Sequence, residues 1–356
     1  MEYPLISICL PHYNSMPFTV ARMESLVSQT WKEWECLVMD SGSMDGSLEV
    51  IQTYADRDPR IRIYSIPREG CYAAFNAGIE KSSGTYLYIA TADDTLDPDG
   101  LAYMVHGLEE HPTCGACHTP LRIIDENGKD IPNVYESYDA TQYYDHLHLC
   151  PHIRRCGHDA WLSTLLPCVY PSVTQMLYRK EAALKTGPFP THHGPSGDFA
   201  WHLRLSAITD TLHLPKTVAT WRMHSNQLTQ PVDSETLATM RLTMVLENLD
   251  FLKSSLDEPK QSNWSSVGFL YRLEKFRQRI AQKPAYLQRF MGILAALFQD
   301  PRILRYLHFG RFKRDLSYSF SPHEVAKKWM AHQGYDQLLE TFSDASTILL
   351  EGKEYE

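Results

Sequence analysis

No hydrophobic run in this chain approaches the ~20 residues that cross a bilayer. Its apolar start carries Glu2 and no basic flank, which makes a poor secretory signal, so a cytoplasmic location is expected. Cysteine is sparse. Eight in 356 residues do not build a disulfide framework. Basic charge is in deficit, 34 Lys and Arg against 43 Asp and Glu, which argues against a broad nucleic-acid face. Glycine is missing where it would matter most: the first strand runs into "PHYNSM". A dinucleotide fold needs G-x-G-x-x-G at that turn, so a dehydrogenase is disfavoured. Internal repeats and low-complexity tracts are also missing.

Two cysteine patterns need weighing. "CGACH" (Cys114–His118) matches a c-type haem attachment, but it is single, lies in a strand-like run and follows no export signal. Cys114, Cys117, Cys150 and Cys156 are the components of a zinc reading. Residues three apart on a strand point to opposite faces, so buried thiols are the simpler expectation.

What is present is an alternation. Short apolar runs, "LISICL", "ECLVMD", "RIRIYSI" and "TYLYIA", are separated by helix-like stretches of ten or so residues. Ser15 and Pro17 suit a helix start, with Val20, Met23 and Val27 on one face. This is the pattern of βαβ units with right-handed crossovers and a mostly parallel sheet. Ligands in such sheets bind beyond the carboxyl ends of the strands. The polar motifs "PHYN", "DSGSMDG", "PREG" and "TADD" all follow strands, so four loops converge on one edge.

At these residues a resemblance emerges. "ISICLPHYN", "QTWKEWECLVMDSGSMDGS", "GCYAAFNAGIEKSSGTYLYIATADD" and "TWRMHSNQLT" resemble the family 2 glycosyltransferases with the GT-A fold, over roughly residues 4–230. The resemblance implies an α/β, Rossmann-like domain over residues 1–233. Residues 1–118 would bind the nucleotide sugar and 119–233 the acceptor. Residues 234–356 would form a C-terminal helical region. It also implies an inverting, metal-dependent transferase that moves a sugar from a nucleoside-diphosphate donor, UDP-sugar first, to a carbohydrate or lipid-linked hydroxyl. The rivals are a non-catalytic nucleotide-sugar-binding relative and another nucleotide-binding α/β enzyme.

The donor's diphosphate concentrates negative charge, which Mn²⁺ or Mg²⁺ held by oxygen ligands would neutralise. The resemblance places "TADD" on the family's DxD motif, with Thr91 where many members carry the first Asp. Asp93 and Asp94 would divide the sugar and metal contacts, in an order the residues leave open. The other reading of an acid before "PDGL" is a helix cap, a task that suits Asp97 better. By the same resemblance, Asp40 would accept a base N–H. Pro11, Tyr13 and Asn14 would wall the base, and Asn76 would tie the nucleotide loops together. Gly78 would allow close helix packing, and Asp45 is read as a turn and helix cap. Arg68 sits where a guanidinium would meet phosphate.

In the second half, the resemblance makes Asp198 of "GPSGDFAW" the base that takes the acceptor's proton, compatible with a helix N-cap. "RMHSNQLT" resembles the family's R-x-H element. His224 would complete the metal or diphosphate shell, and Arg222 would reach the diphosphate or make a structural salt bridge. The irregular stretch 139–166 holds His146, His148, His152 and His158 with Tyr143, Tyr144 and Trp161. Aromatic faces suit sugar rings, so His152, Trp161 and Trp201 are expected at an acceptor pocket. In the tail, basic residues from Arg272 to Arg314 flank an apolar run. Two readings stay open: helices lying on an anionic membrane face, or a subdomain packed on the catalytic part or a second copy.

Overall fold

The computed structural model describes residues 5–166, 169–225, 227, 240, 243–256 and 322–342. The basic segment from Arg272 to Arg314 lies outside them. Strands β1 (Ile6–His12), β2 (Trp34–Asp40), β3 (Ile61–Ser65) and β4 (Tyr86–Ile89) alternate with helices α1 (Met16–Val27), α2 (Ser47–Ala55) and α3 (Cys71–Lys81), as the apolar runs require. Then come α4 (Gly100–Glu110), β5 (Cys114–His118), β6 (Leu121–Ile124), α5 (Asp139–Tyr144), β7 (His152–Arg154) and α6 (His158–Leu165). They are followed by β8 (Met176–Arg179), α7 (Lys180–Thr186), α8 (Gly197–Leu205), β9 (Asp210–His213) and β10 (Ala219–Arg222). After helix 243–247 the described residues end with α9 (Leu249–Ser255), α10 (Pro322–His332) and β11 (Leu339–Thr341).

Nine strands form one sheet in the order β11-β7-β9-β5-β8-β4-β1-β2-β3. The pairings β1·β2, β2·β3 and β1·β4 are parallel, as expected. The rest is mixed: β8 enters antiparallel between β4 and β5, and β7 and β11 are antiparallel to their neighbours. Parallel pairing thus runs through the first four strands and recurs at β5·β9, with antiparallel strands between and beside them. β6 leaves the main sheet and pairs in parallel with β10, which carries residues 219–222 back toward the end of β4.

The sheet is buried on both faces, so its strands read as continuous apolar runs. Ile8 and Leu10 pack into one core with Met23 and Trp34, while Cys9 faces the other with Tyr72 and Phe75. Alternation along the strand is what splits the two cores. Gly78 is where α3 meets β1. A methyl there would lie 2.9 Å from the Cys9 Cβ, so only glycine lets the helix approach this closely. Cys114 and Cys117 are buried free thiols. A register shift between Cys114 and Ala116 puts both in the same core, contrary to the expected opposite faces.

Helix starts differ from the sequence expectation. The Ser15 side chain does not cap α1; Asp45, from the loop after β2, accepts the Met16 N–H at 2.9 Å and the Ser47 N–H at 3.1 Å. One carboxylate therefore serves two helices. Asp97 does not cap α4 with its side chain either; it pairs with Arg122 at 3.2 Å, and Gln29 accepts the Leu101 N–H.

Candidate active site

Because β1, β2, β3 and β4 run in parallel, their loops meet at one edge. At the end of β2, Asp40 is buried against His12 at the end of β1, with Oδ1 3.0 Å from the His12 Nδ1. The same carboxylate accepts from the Ser43 Oγ at 2.6 Å and from the backbone N–H of Gly42 and Ser43. Burial opposes its charge, but the hydrogen bonds from Ser43 and then His12 outweigh it and hold the carboxyl below its usual range. Its acceptor positions are filled by protein donors, so a base N–H reaches it only by displacing one. The His12 Nε2, by contrast, is buried with no partner.

Around this pair the loops are stitched together. Asn14, at φ 46°, donates its N–H to the Ser43 Oγ, and its side-chain oxygen accepts the Met44 N–H. A left-handed φ is tolerated by Asn more than by most residues. Pro11 is half-buried and Tyr13 is exposed, with the Arg68 guanidinium 3.9 Å from the Tyr13 ring centroid. Arg68 is itself exposed, so its fork is open to phosphate.

The neighbours Asp93 and Asp94 separate sharply. Asp94 is 1% exposed, and both of its oxygens are taken by the Thr91 Oγ1 at 2.5 Å, the Thr174 Oγ1 at 3.3 Å and the Arg222 N–H at 2.7 Å. Burial, then the charge on Asp93, push its pKa up to about 7. This corrects the expectation of Asp94 as a metal ligand: it ties β10 to the end of β4. It also accounts for Thr91, whose hydroxyl meets a buried carboxylate where a second carboxylate would repel it. Asp93 keeps an oxygen 2.9 Å from the His224 Nε2 and is a quarter exposed. An oxygen and a nitrogen donor this close form a chelating pair suited to a divalent transition ion. His224 stands against Phe18, with ring centroids 4.6 Å apart. Arg222 is spent on the carbonyls of Asp93, Asp125 and Glu126, so it holds loops together rather than offering a free cation.

Asp198 lies in the first turn of α8. Its Oδ1 accepts from the Tyr72 hydroxyl at 3.0 Å and from the Phe199 N–H at 2.8 Å. Tyr72 opens α3, which starts just past the C-terminal end of β3, so Asp198 is held at the same edge as the loops above. Burial pushes its pKa up to about 6, against hydrogen bonds from Tyr72 and the Phe199 N–H. Gly197 is a close-approach glycine. A Cβ there would lie 2.5 Å from the Pro190 carbonyl oxygen and 2.8 Å from the Tyr72 ring. Sequence reasoning missed Tyr72 and His12; one lay in a helix face and the other between two motif residues, with only their neighbours as signal.

Four expected site residues belong elsewhere. The Asn76 amide is spent on the Phe189 backbone, at 2.9 Å and 2.8 Å, so it ties α3 to the segment leading to Asp198. Trp161 is fully buried and stacked on Tyr335, and Trp201 stacks on Phe189 at 4.2 Å. His152 is buried, taking a hydrogen bond from Arg154 at 3.1 Å. Neither indole nor the imidazole is open to an acceptor sugar. Within the stretch 139–166, α5, β7 and α6 pack into the interior, while Asp145, His146 and Leu149 between them are exposed. Arg154 and Asp159 pair at 3.3 Å in the core, and Tyr144 and Tyr170 donate to the same carboxylate. Burial opposes that charge, yet Arg154 holds the Asp159 carboxyl far below the usual range.

A mixed sheet with nucleotide-type loops on one edge and a carboxylate beyond it defines a GT-A glycosyltransferase fold. The structure resembles S. aureus TarS residues 1–349, solved with UDP-GlcNAc, at TM-score 0.55 and 15% identity, over 93% of this chain and 92% of that one. It also resembles the mannosyltransferase PcManGT of Pyrobaculum calidifontis, solved with GDP-Man and Mn²⁺, at TM-score 0.53 and 17% identity, over 95% of this chain and 87% of the other. At such identity the likeness speaks to fold. Residues 7–166 match the model of glycosyl transferase family 2, and this part of the chain is a family 2 glycosyltransferase domain. The chondroitin synthase of Escherichia coli is 29% identical over 160 residues, 44% of this chain. The aligned part is 23% of that synthase, so the chain spans under a quarter of this curated relative's length. Among the described residues, no helix is long and apolar enough to cross a membrane.

Proposed function

We propose that the chain transfers a sugar from a nucleoside diphosphate, UDP-sugar first, to a hydroxyl of a carbohydrate or lipid-linked acceptor, with inversion. The observation that carries this reading is Asp198, a carboxylate positioned by Tyr72 with a pKa of about 6. Near neutral pH it is ionised yet more basic than a solvated Asp, which suits a general base. The acceptor hydroxyl attacks the anomeric carbon as Asp198 takes its proton. The bond from that carbon to the diphosphate oxygen breaks, and the diphosphate leaves from the opposite face. One displacement inverts the configuration.

The strand-end loops make the donor side. In this reading, Tyr13, Asn14 and Pro11 wall the base, with Asp40 and His12 setting the shape of the loop behind it, and Arg68 meets the diphosphate. Asp93 and His224 would hold the divalent ion, whose chemistry is to neutralise leaving-group charge. A nitrogen donor in the pair favours Mn²⁺ over Mg²⁺, which prefers an all-oxygen shell. The Mn²⁺ and GDP-Man of PcManGT and the UDP-GlcNAc of TarS support a cation and a nucleotide sugar on this fold.

The test pairs turnover with binding. Asp198→Asn should lose at least ~100-fold in kcat, while UDP binding in calorimetry stays within about twofold of wild type. Turnover near wild type would remove Asp198 as the base. A hydrolysis screen across UDP- and GDP-sugars would identify the donor.

A further inference from the structure

The loop before α8 carries two adjacent imidazoles, His192 and His193, and the helical segment 243–247 carries Glu247. The His192 Nε2 is 2.9 Å and the His193 Nε2 3.0 Å from the same Glu247 oxygen. All three donor atoms lie within 4.8 Å of one another, and no other group of three such residues does so among the described residues. The rings sit 4.1 Å apart. His193 is buried at its side chain, while His192 and Glu247 are open to solvent, which provides an entry path.

We propose that His192, His193 and Glu247 form a binding site for a divalent transition ion of the Zn²⁺ class, separate from Asp93 and His224. Tetrahedral zinc with bonds of about 2.0–2.1 Å has ligand-to-ligand edges of about 3.3 Å, and the two nitrogen–oxygen edges here are close to that. Two imidazoles with one carboxylate suit zinc, nickel or copper and disfavour Mg²⁺ and Ca²⁺, which want oxygen. Water would fill the remaining position. The ligands come from segments 55 residues apart, so the ion would fasten segment 243–247 to the loop that leads into α8. That loop also holds Pro195, whose carbonyl shares the Tyr72 hydroxyl proton with Asp198, at 2.7 Å and 3.0 Å. The site does not depend on the sugar-transfer reading.

The experiment uses the full chain, stripped with a chelator and titrated with Zn²⁺ against a chromophoric zinc indicator. At least one ion should bind wild type, and one should still bind Asp93→Asn. Losing a partner one shell out already costs roughly tenfold or more in affinity, so His192→Ala and Glu247→Gln should weaken binding by at least about tenfold. Both changes fall at exposed positions, and circular dichroism would verify the fold. Zn²⁺ should raise the thermal midpoint of wild type and not of these variants. Co²⁺ should give the intense visible bands of a four-coordinate centre in wild type and Asp93→Asn, and not in His192→Ala or Glu247→Gln. Equal Zn²⁺ affinity in wild type, His192→Ala and Glu247→Gln would overturn the proposal, as would binding that disappears only with Asp93→Asn.

Discussion

Asp93 shares an oxygen with His224, whereas Asp94 spends both of its own on Thr91, Thr174 and the Arg222 amide. The two lie in the bend after β4, where Asp93 is a quarter exposed at the loops and Asp94 is buried against the scaffold. Asp93→Asn should therefore abolish metal-stimulated turnover and leave the denaturant midpoint almost unchanged. Asp94→Ala should instead destabilise by about 1–3 kcal/mol, because it strands buried donors; urea unfolding of the two variants would separate the roles. Tyr72→Phe removes a hydrogen bond that stabilises ionised Asp198, so the Asp198 pKa should rise above about 6. The base works ionised, so activity falls as pH drops through that value, and the acid limb of the kcat profile should move to higher pH in the variant. The carboxylates were legible from the sequence because charge at a strand end is conspicuous. Their partners were not, because the Arg222 amide and the Thr174 hydroxyl come from β10 and from the turn before β8, far along the chain.

At the scale of elements, the four parallel strands and their helices could be read directly, since each is a local apolar period. The phase of α1 was read less well: Val20 is exposed, while Arg22 is buried, donating to the Thr91 carbonyl at 2.8 Å. A buried arginine looks like a surface residue until its acceptor is known. Tyr144, His152, Arg154 and Asp159 are opaque for the same reason, being satisfied by one another in the core. Position 197 lies at the contact between α8 and α3. Gly197→Ala would push the start of α8 off the Pro190 carbonyl and the Tyr72 ring. Misplacement by about 1 Å costs near 100-fold in rate, so kcat should fall by that order while UDP affinity holds, as steady-state kinetics and calorimetry would check.

Across the whole molecule, several buried imidazoles are kept neutral. Burial pushes the pKa of His152 and His202 down to about 3, and that of His118 and His213 well below the ordinary value. In the unfolded chain these rings titrate near ~6.5, so between the two values the unfolded state binds more protons. Their contribution is intact above about pH 6.5 and is lost as pH falls toward the folded values. The thermal midpoint should therefore drop steadily from pH 7 to pH 4.5 in a calorimetric series, and a flat midpoint would count against neutral burial. The sheet order was the least legible feature, because it depends on which distant strand enters beside β4. That order has a consequence for dissecting the chain. A fragment ending at residue 118 would contain β4 and β5 without β8, the strand that joins them. One edge of β4 and both edges of β5 would then face water, and such open edges recruit other chains. The nucleotide-side half is thus not a portable module: cut free, it would be a template for aggregation.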